Sequence, residues 1–169
     1  ATHMFKKMAE AKDPMWEHFV LAFMGLRKAE RLGLTFSALT LTGDNPKIII
    51  RSQLQRVSGQ GLVLKQSTKS GKDRSVTIHE PFLSSLKLMK EVRKEQLKLP
   101  GFQPEEQFKD LVYLKDNGKP YDPNEDNELW IKVNQTYNAK KPKIRQHAMR
   151  HIAATTMADK GIGREVAMS

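Results

Sequence analysis

The sequence predicts an α+β domain, mainly helical, with one small three-stranded antiparallel sheet inserted early. Apolar residues recur at helical spacing in three separate stretches. Three strand-like runs follow one another, separated only by short glycine-containing connections. The 169 residues, 38% of them apolar, suffice for one hydrophobic core and argue against two full domains.

The first helical stretch follows Pro14. "PMWEHFVLAFMGLRKAERLGL" carries apolar side chains at Trp16, Phe19, Val20, Phe23 and Met24, with Pro14 suited to the opening turn. Gly25 marks a break or a close approach. "ERLGLTFSALTL" then reads as a short second helix, followed by a turn at "TGDNP". "KIIIRSQLQRV", "GLVLKQST" and "RSVTIH" are the strand-like runs, separated by "SGQ" and "KSGKD", and they predict a meander. From Pro81, "FLSSLKLMKEVRKEQLKL" returns to helical period and stops at Pro100-Gly101. The polar "LKDNGKPYDPNEDN" is a loop, and the helix over 125–139 places Leu129, Trp130, Val133 and Tyr137 on one face, read as packing only. A last helix begins near Arg145 and is interrupted by Gly161 and Gly163.

Charge narrows the partner. The chain has 29 basic and 19 acidic residues, a net +10, which favours a polyanion, because each cation set against a phosphate releases a condensed counterion. No apolar run approaches the length of a membrane-spanning helix, so nucleic acid is preferred over a membrane surface. The absence of cysteine removes disulfides, thiolate nucleophiles and sulfur-rich zinc sites, and fits a reducing cytosol. The opening "ATHM", residues 1–4, reads as a scar left by an expression vector, and no signal peptide follows it.

Four places combine polar chemistry with a particular setting. In "GLRKAE", Arg27 and Glu30 stand three apart after an apolar helix, and in isolation they read as an ordinary surface pair. "STKSGKDR" is a hairpin tip with Lys69, Lys72 and Arg74, in isolation a solvated turn whose charges guard against edge pairing. In "HAMRH", His147 and His151 lie one helical turn apart and His147 shares a face with Arg150. A zinc-protease H-E-x-x-H would need glutamate where Ala148 stands, and no third ligand is spaced to complete a metal site, so a half-buried histidine pair competes with the metal reading. The fourth is the Trp130 helix.

Taken in order, "GLRKAERLGLTFSALTL", "TKSGKDRSVTI" and "HAMRHIAATTMADKG" resemble the catalytic domain of the tyrosine recombinases, the phage integrase family, over nearly the whole chain. The "GKPYDP" segment followed by a Trp-containing helix is also similar to phage-type members. Type IB topoisomerases share the core chemistry and are the weaker match. The resemblance implies a tyrosine-recombinase catalytic-domain fold over residues 5–169 and a site-specific recombinase that cuts and rejoins DNA through a 3′-phosphotyrosyl link, integrating or excising a phage or mobile element. It implies neither ATP nor a metal cofactor, since bond energy is kept in the phosphotyrosine. Its partners would be double-stranded DNA at attachment sites, a homo-tetramer on synapsed DNA, and accessory directionality or architectural proteins. The location would be the bacterial cytoplasm, at the nucleoid.

By the same resemblance Arg27 and Arg150 clamp the scissile phosphate, their planar forks suited to paired oxygens. Lys69 is the general acid for the departing 5′-oxygen, with Lys72 an alternative and Lys65 less favoured. His147 bonds a phosphate oxygen or helps to move the tyrosine's proton. Glu30 and His151 support these groups. The family pattern continues to a Gly-His or Gly-Trp pair and then to the nucleophilic tyrosine, whereas this sequence stops at "GREVAMS". Tyr113, Tyr121 and Tyr137 all precede the histidine cluster and read as packing or surface residues. The nucleophile-bearing segment and the amino-terminal core-binding domain are therefore expected to be missing. A non-catalytic DNA-binding module derived from a recombinase is the rival reading, and a metal-dependent hydrolase a third.

Overall fold

Asp13 starts the helix that the first apolar stretch predicts. In this computed structural model, which describes residues 2–66, 73–140, 142–149 and 152, the Asp13 carboxylate accepts the Met15 N–H at 2.8 Å and its carbonyl accepts the Trp16 N–H at 3.0 Å. Helix α2, Trp16–Phe23, follows, so Pro14 lies two residues before the helix rather than in its first turn. Periodicity counted from Pro14 passes over an earlier helix, α1, Thr2–Glu10, whose Met4, Phe5 and Met8 are buried.

The chain divides into two compact units, one built from the segments up to Lys28 and from Asn124 onward, the other from Ala29–Pro123. The first unit contains α1, α2 and helix α5, Pro123–Tyr137. Aromatic side chains join them: Phe5 meets Phe23 with ring centroids 5.9 Å apart, Phe19 meets Trp130 at 4.9 Å, and Trp16 Nε1–H donates to the Phe5 carbonyl at 3.1 Å. Helix α5 begins at Pro123, inside the stretch expected to be a loop. Proline's fixed φ and missing N–H suit a first helical position, and Glu125 and Asp126 follow in that first turn, where carboxylates are favoured by the helix dipole.

The second unit carries the sheets. After α3, Lys28–Leu32, come a 3-10 turn at Phe36–Ala38 and strands β1, Leu39–Thr40, β2, Lys47–Ile50, β3, Gln53–Val57, β4, Gly61–Lys65, and β5, Arg74–Thr77. The expected three-stranded antiparallel sheet is present as β1-β2-β5, with Ile48 opposite Val76 and Ile50 opposite Arg74. Its membership differs from a simple meander, because the run "KIIIRSQLQRV" breaks at Arg51-Ser52 and β3 pairs with β4 in a separate two-stranded sheet. The break has a tertiary cause: Ser52 Oγ–H turns away to donate to the buried Gly33 carbonyl at 2.6 Å. Leu54 on β3 then packs with Leu32, Phe108 and Leu111.

Helix α4, Phe82–Gln96, buries Phe82 and Leu86. Its Arg93 is buried as well. The guanidinium donates to the carbonyls of Leu111 at 2.6 Å and Val112 at 3.1 Å, and lies 5.6 Å from the Phe36 ring centre and 5.1 Å from that of Phe102. Burial lowers its pKa, an effect opposed by the nearby Asp110 carboxylate.

Gly33 sits at a close approach of two backbone segments. A Cβ there would lie 2.5 Å from the Leu54 nitrogen and 2.6 Å from the Gln53 carbonyl carbon, both backbone atoms that cannot swing aside. Gly33→Ala must force α3 and β3 apart, so denaturant unfolding is expected to show a loss of about 1–3 kcal/mol. An unchanged unfolding midpoint would contradict that close approach.

Candidate phosphate-binding site

Arg27 owes its position to the way α2 ends. Gly25 adopts φ +94°, its N–H donates to the Ala22 carbonyl at 3.1 Å, and the Leu26 N–H reaches back to the Leu21 carbonyl at 3.0 Å. This pair of bonds is the Schellman stop, in which a left-handed residue reverses the chain and the next apolar residue packs back on the helix. Leu21 and Leu26 are both buried accordingly, and Arg27 emerges exposed immediately after them. Lys28 Nζ donates to Asn127 Oδ1 at 3.1 Å, tying the following residue to α5.

Glu30 is no surface group. Only 3% exposed, it accepts a hydrogen bond from Arg74 Nη2 at 2.6 Å. Arg74 is thus the first residue of β5 and a partner of Glu30, where the sequence suggests a charge on a solvated hairpin tip. Lys65 ends β4 and is exposed. Lys69, Lys72, Arg150 and His151 lie outside the described residues, as does most of the expected last helix.

His147 is exposed in the turn that leads to helical Ala148 and Met149, and Met149 is buried. The segment before it is held by α5, and by Asn138 just after its end, through residues spaced four apart. Asp126, with no exposure, faces His18 Nε2 with one carboxylate oxygen and accepts Gln146 Nε2–H at 2.7 Å with the other. Trp130 Nε1–H donates to the Ile144 carbonyl at 2.8 Å, and Asn134 Oδ1 accepts the Ile144 N–H at 3.1 Å. Asn138 Nδ2–H donates to the Pro142 carbonyl at 3.0 Å. Trp130 is therefore more than packing: it grips the strap that carries "HAMRH". The reading of α5 as an apolar face overlooked Asp126, Asn134 and Asn138, although their regular spacing of four with Trp130 puts all four on one face.

Arg27 and His147 belong to the same unit, and each is exposed within two residues of a buried anchor in the chain. A guanidinium and an imidazole presented in this way can donate hydrogen bonds to an anionic oxygen. Among the described residues no group of three or more His, Asp or Glu side chains is arranged to hold a metal ion. Nor, among them, is any helix long and apolar enough to cross a membrane.

Residues 2–169 match the model of the phage integrase family. The chain belongs to that family. Similar solved structures include the Tn1549 transposon integrase in complex with transposon right-end DNA, at TM-score 0.77 and 22% identity, the match covering 98% of this chain and 53% of that one. XerA recombinase follows at TM-score 0.69 and 19% identity, covering 98% and 51%, and XerH site-specific recombinase bound to palindromic difH substrate at 0.60 and 20%, covering 87% and 35%. These likenesses establish the tyrosine-recombinase fold, and the chain spans about half the length of the Tn1549 and XerA proteins. No curated protein matches the chain.

In this integrase-family chain the left-handed glycine explains the "GLR" spelling, with glycine to stop the helix, leucine to anchor and arginine to emerge. Open space surrounds the Gly25 α-carbon, so Gly25→Ala suffers from backbone conformation alone and should destabilise by about 1–2 kcal/mol. Asparagine tolerates that conformation better, and Gly25→Asn should lose less in the same unfolding measurement.

Proposed function

We propose that this integrase-family chain is the DNA-cleaving and rejoining part of a site-specific recombinase acting on double-stranded DNA at attachment sites. The observation that carries the reading is that Arg27 and His147, the two described candidates for phosphate contact, are exposed close to buried anchors within a chain that matches the family model. A net charge of +10 suits the polyanion.

In the proposed reaction a tyrosine oxygen attacks the scissile phosphorus, an O–P bond forms, and the bond from phosphorus to the 5′-oxygen breaks. Lys69 gives its proton to the departing 5′-oxygen, and His147 bonds a phosphate oxygen or takes up the proton of the tyrosine. Arg27 and Arg150 stabilise the charge that builds on the crowded phosphate. Reversal with a 5′-hydroxyl of a partner strand rejoins the DNA without ATP. Glu30 keeps β5 in place through Arg74, and His151 orients its neighbours. A homo-tetramer on synapsed DNA, assisted by accessory directionality or architectural proteins, would exchange the strands of a phage or other mobile element.

In this reading none of Tyr113, Tyr121 and Tyr137 is the nucleophile. Tyr113 is buried, and Tyr121 packs against the core around Leu32 and Leu54. The Tyr137 hydroxyl donates to Asp13 at 2.9 Å, and that hydrogen bond raises its pKa, the opposite of what an attacking phenolate needs.

Full-length protein incubated with a nicked suicide substrate should become covalently attached to DNA. Arg27→Ala and Arg150→Ala should each lower that cleavage by about 100-fold or more while DNA affinity changes little. Wild-type protein that binds DNA, with the usual salt dependence, yet forms no adduct would instead identify a non-catalytic DNA-binding module.

A further inference from the structure

We infer that Gln146 is a positioning residue for His147, held by the buried Asp126 carboxylate so that the adjoining imidazole is presented in one place. The inference rests on the reading of His147 as a phosphate contact, and it adds a role for three residues, His18, Asp126 and Gln146, that no motif of the reaction includes.

Asp126 has no exposure, and an ionised carboxylate in that position must be supplied with donors by the protein. His18 Nε2 faces it from α2, and Gln146 Nε2 meets it at 2.7 Å from the strap. Meeting a carboxylate requires a proton on His18 Nε2, so the imidazole donates there. Gln146 is different in kind, because it is the residue of the strap that directly precedes His147. The bonds to Ile144 and Pro142 fix the strap two and four residues earlier than Gln146, at 3.1 Å, 2.8 Å and 3.0 Å. After His147, the Met149 N–H donates to the Gln146 carbonyl at 3.2 Å, and the Met149 side chain is buried. His147 is therefore an exposed residue between two fixed ones, and the Gln146 side chain is the fixture on its amino-terminal side.

Removing the amide while keeping its size isolates the effect. In Gln146→Met the His147 ring signals in proton NMR, assigned by their loss in His147→Asn, should shift or broaden. Cleavage of the suicide substrate by full-length protein should fall at least about tenfold, and DNA affinity should stay within about twofold, since charge is unchanged. Gln146→Glu should have the same effect on signals and cleavage by setting one carboxylate against another. Adding Asp126→Asn to it should reverse the effect, because asparagine can accept from His18 through Oδ1 and donate through Nδ2 to the carboxylate introduced at position 146.

Unmoved His147 signals in Gln146→Met would overturn the inference whatever the activity. So would a swapped pair that recovers the melting temperature of the wild type but neither the signals nor cleavage, since the bond would then be merely structural. If wild-type protein forms no covalent adduct while the His147 signals move in the single variants and return in the swap, positioning stands and the recombinase reading falls.

Discussion

A carboxylate taken wholly out of water dictates much of what surrounds it. Asp126 sits in the first turn of α5, where the helix dipole favours negative charge, but the dipole does not replace lost hydration. Donors must come from elsewhere in the chain, and they come from places far apart in sequence, His18 on α2 and Gln146 on the strap. One buried group thus fastens both an element and an irregular segment to the same helix. The rest of that face continues the pattern one turn at a time. The 142–146 strap forms no helix or strand, so its backbone groups need partners, and Trp130, Asn134 and Asn138 supply them.

The unit formed by Ala29–Pro123 solves the same problem with other residues. Backbone near Leu111 and Val112 is irregular, and the Arg93 guanidinium satisfies both carbonyls while it lies over two phenylalanine rings. Lysine could not do this, having neither the planar fork nor the stacking surface. Glu30 and Arg74 form a largely buried pair, and in such pairs the cost of desolvating both charges offsets much of their attraction. The pair sets the first residue of β5 against α3. That strand follows residues 67–72, the segment with Lys69, so the carboxylate of one motif is linked to the basic end of the next.

Legibility in the sequence follows the range of the interaction. Helices α2, α4 and α5 were predictable because burial of one face imposes a period that any reader can count. The sheet was predictable as short antiparallel strands, but the division at Arg51-Ser52 was not, because a hydroxyl meeting a carbonyl 19 residues away leaves no local mark. Helix α1 went unread because residues 1–4, which include its buried Met4, read as a vector scar and the apolar period is counted from Pro14. At the site, Arg27 and His147 stood out through motif order, and the left-handed turn at Gly25 gives a physical reason for one of those spellings. Glu30 looked like half of a surface pair, since sequence shows a charge and its spacing but not its burial. Asp126 was hidden among "NEDN", four polar letters that suggest a loop until Pro123 is recognised as the start of a helix.

Both described candidates for phosphate contact are placed by their neighbours in the chain. Leu26 and Met149 are buried close to exposed Arg27 and His147, and the backbone at each place is pinned by hydrogen bonds: Leu26 N–H to the Leu21 carbonyl, Met149 N–H to the Gln146 carbonyl. Placement of this kind differs from that of Arg74, whose guanidinium is set against the buried Glu30 carboxylate. A buried counter-charge fixes a guanidinium well, but it also spends part of the field that an anionic ligand would feel. An apolar anchor one or two residues away narrows the position of a side chain through its backbone. In the proposed reaction, whose barrier is lowered by charge placed in advance, anchoring through the backbone would let Arg27 and His147 meet the phosphate without first being gathered into place.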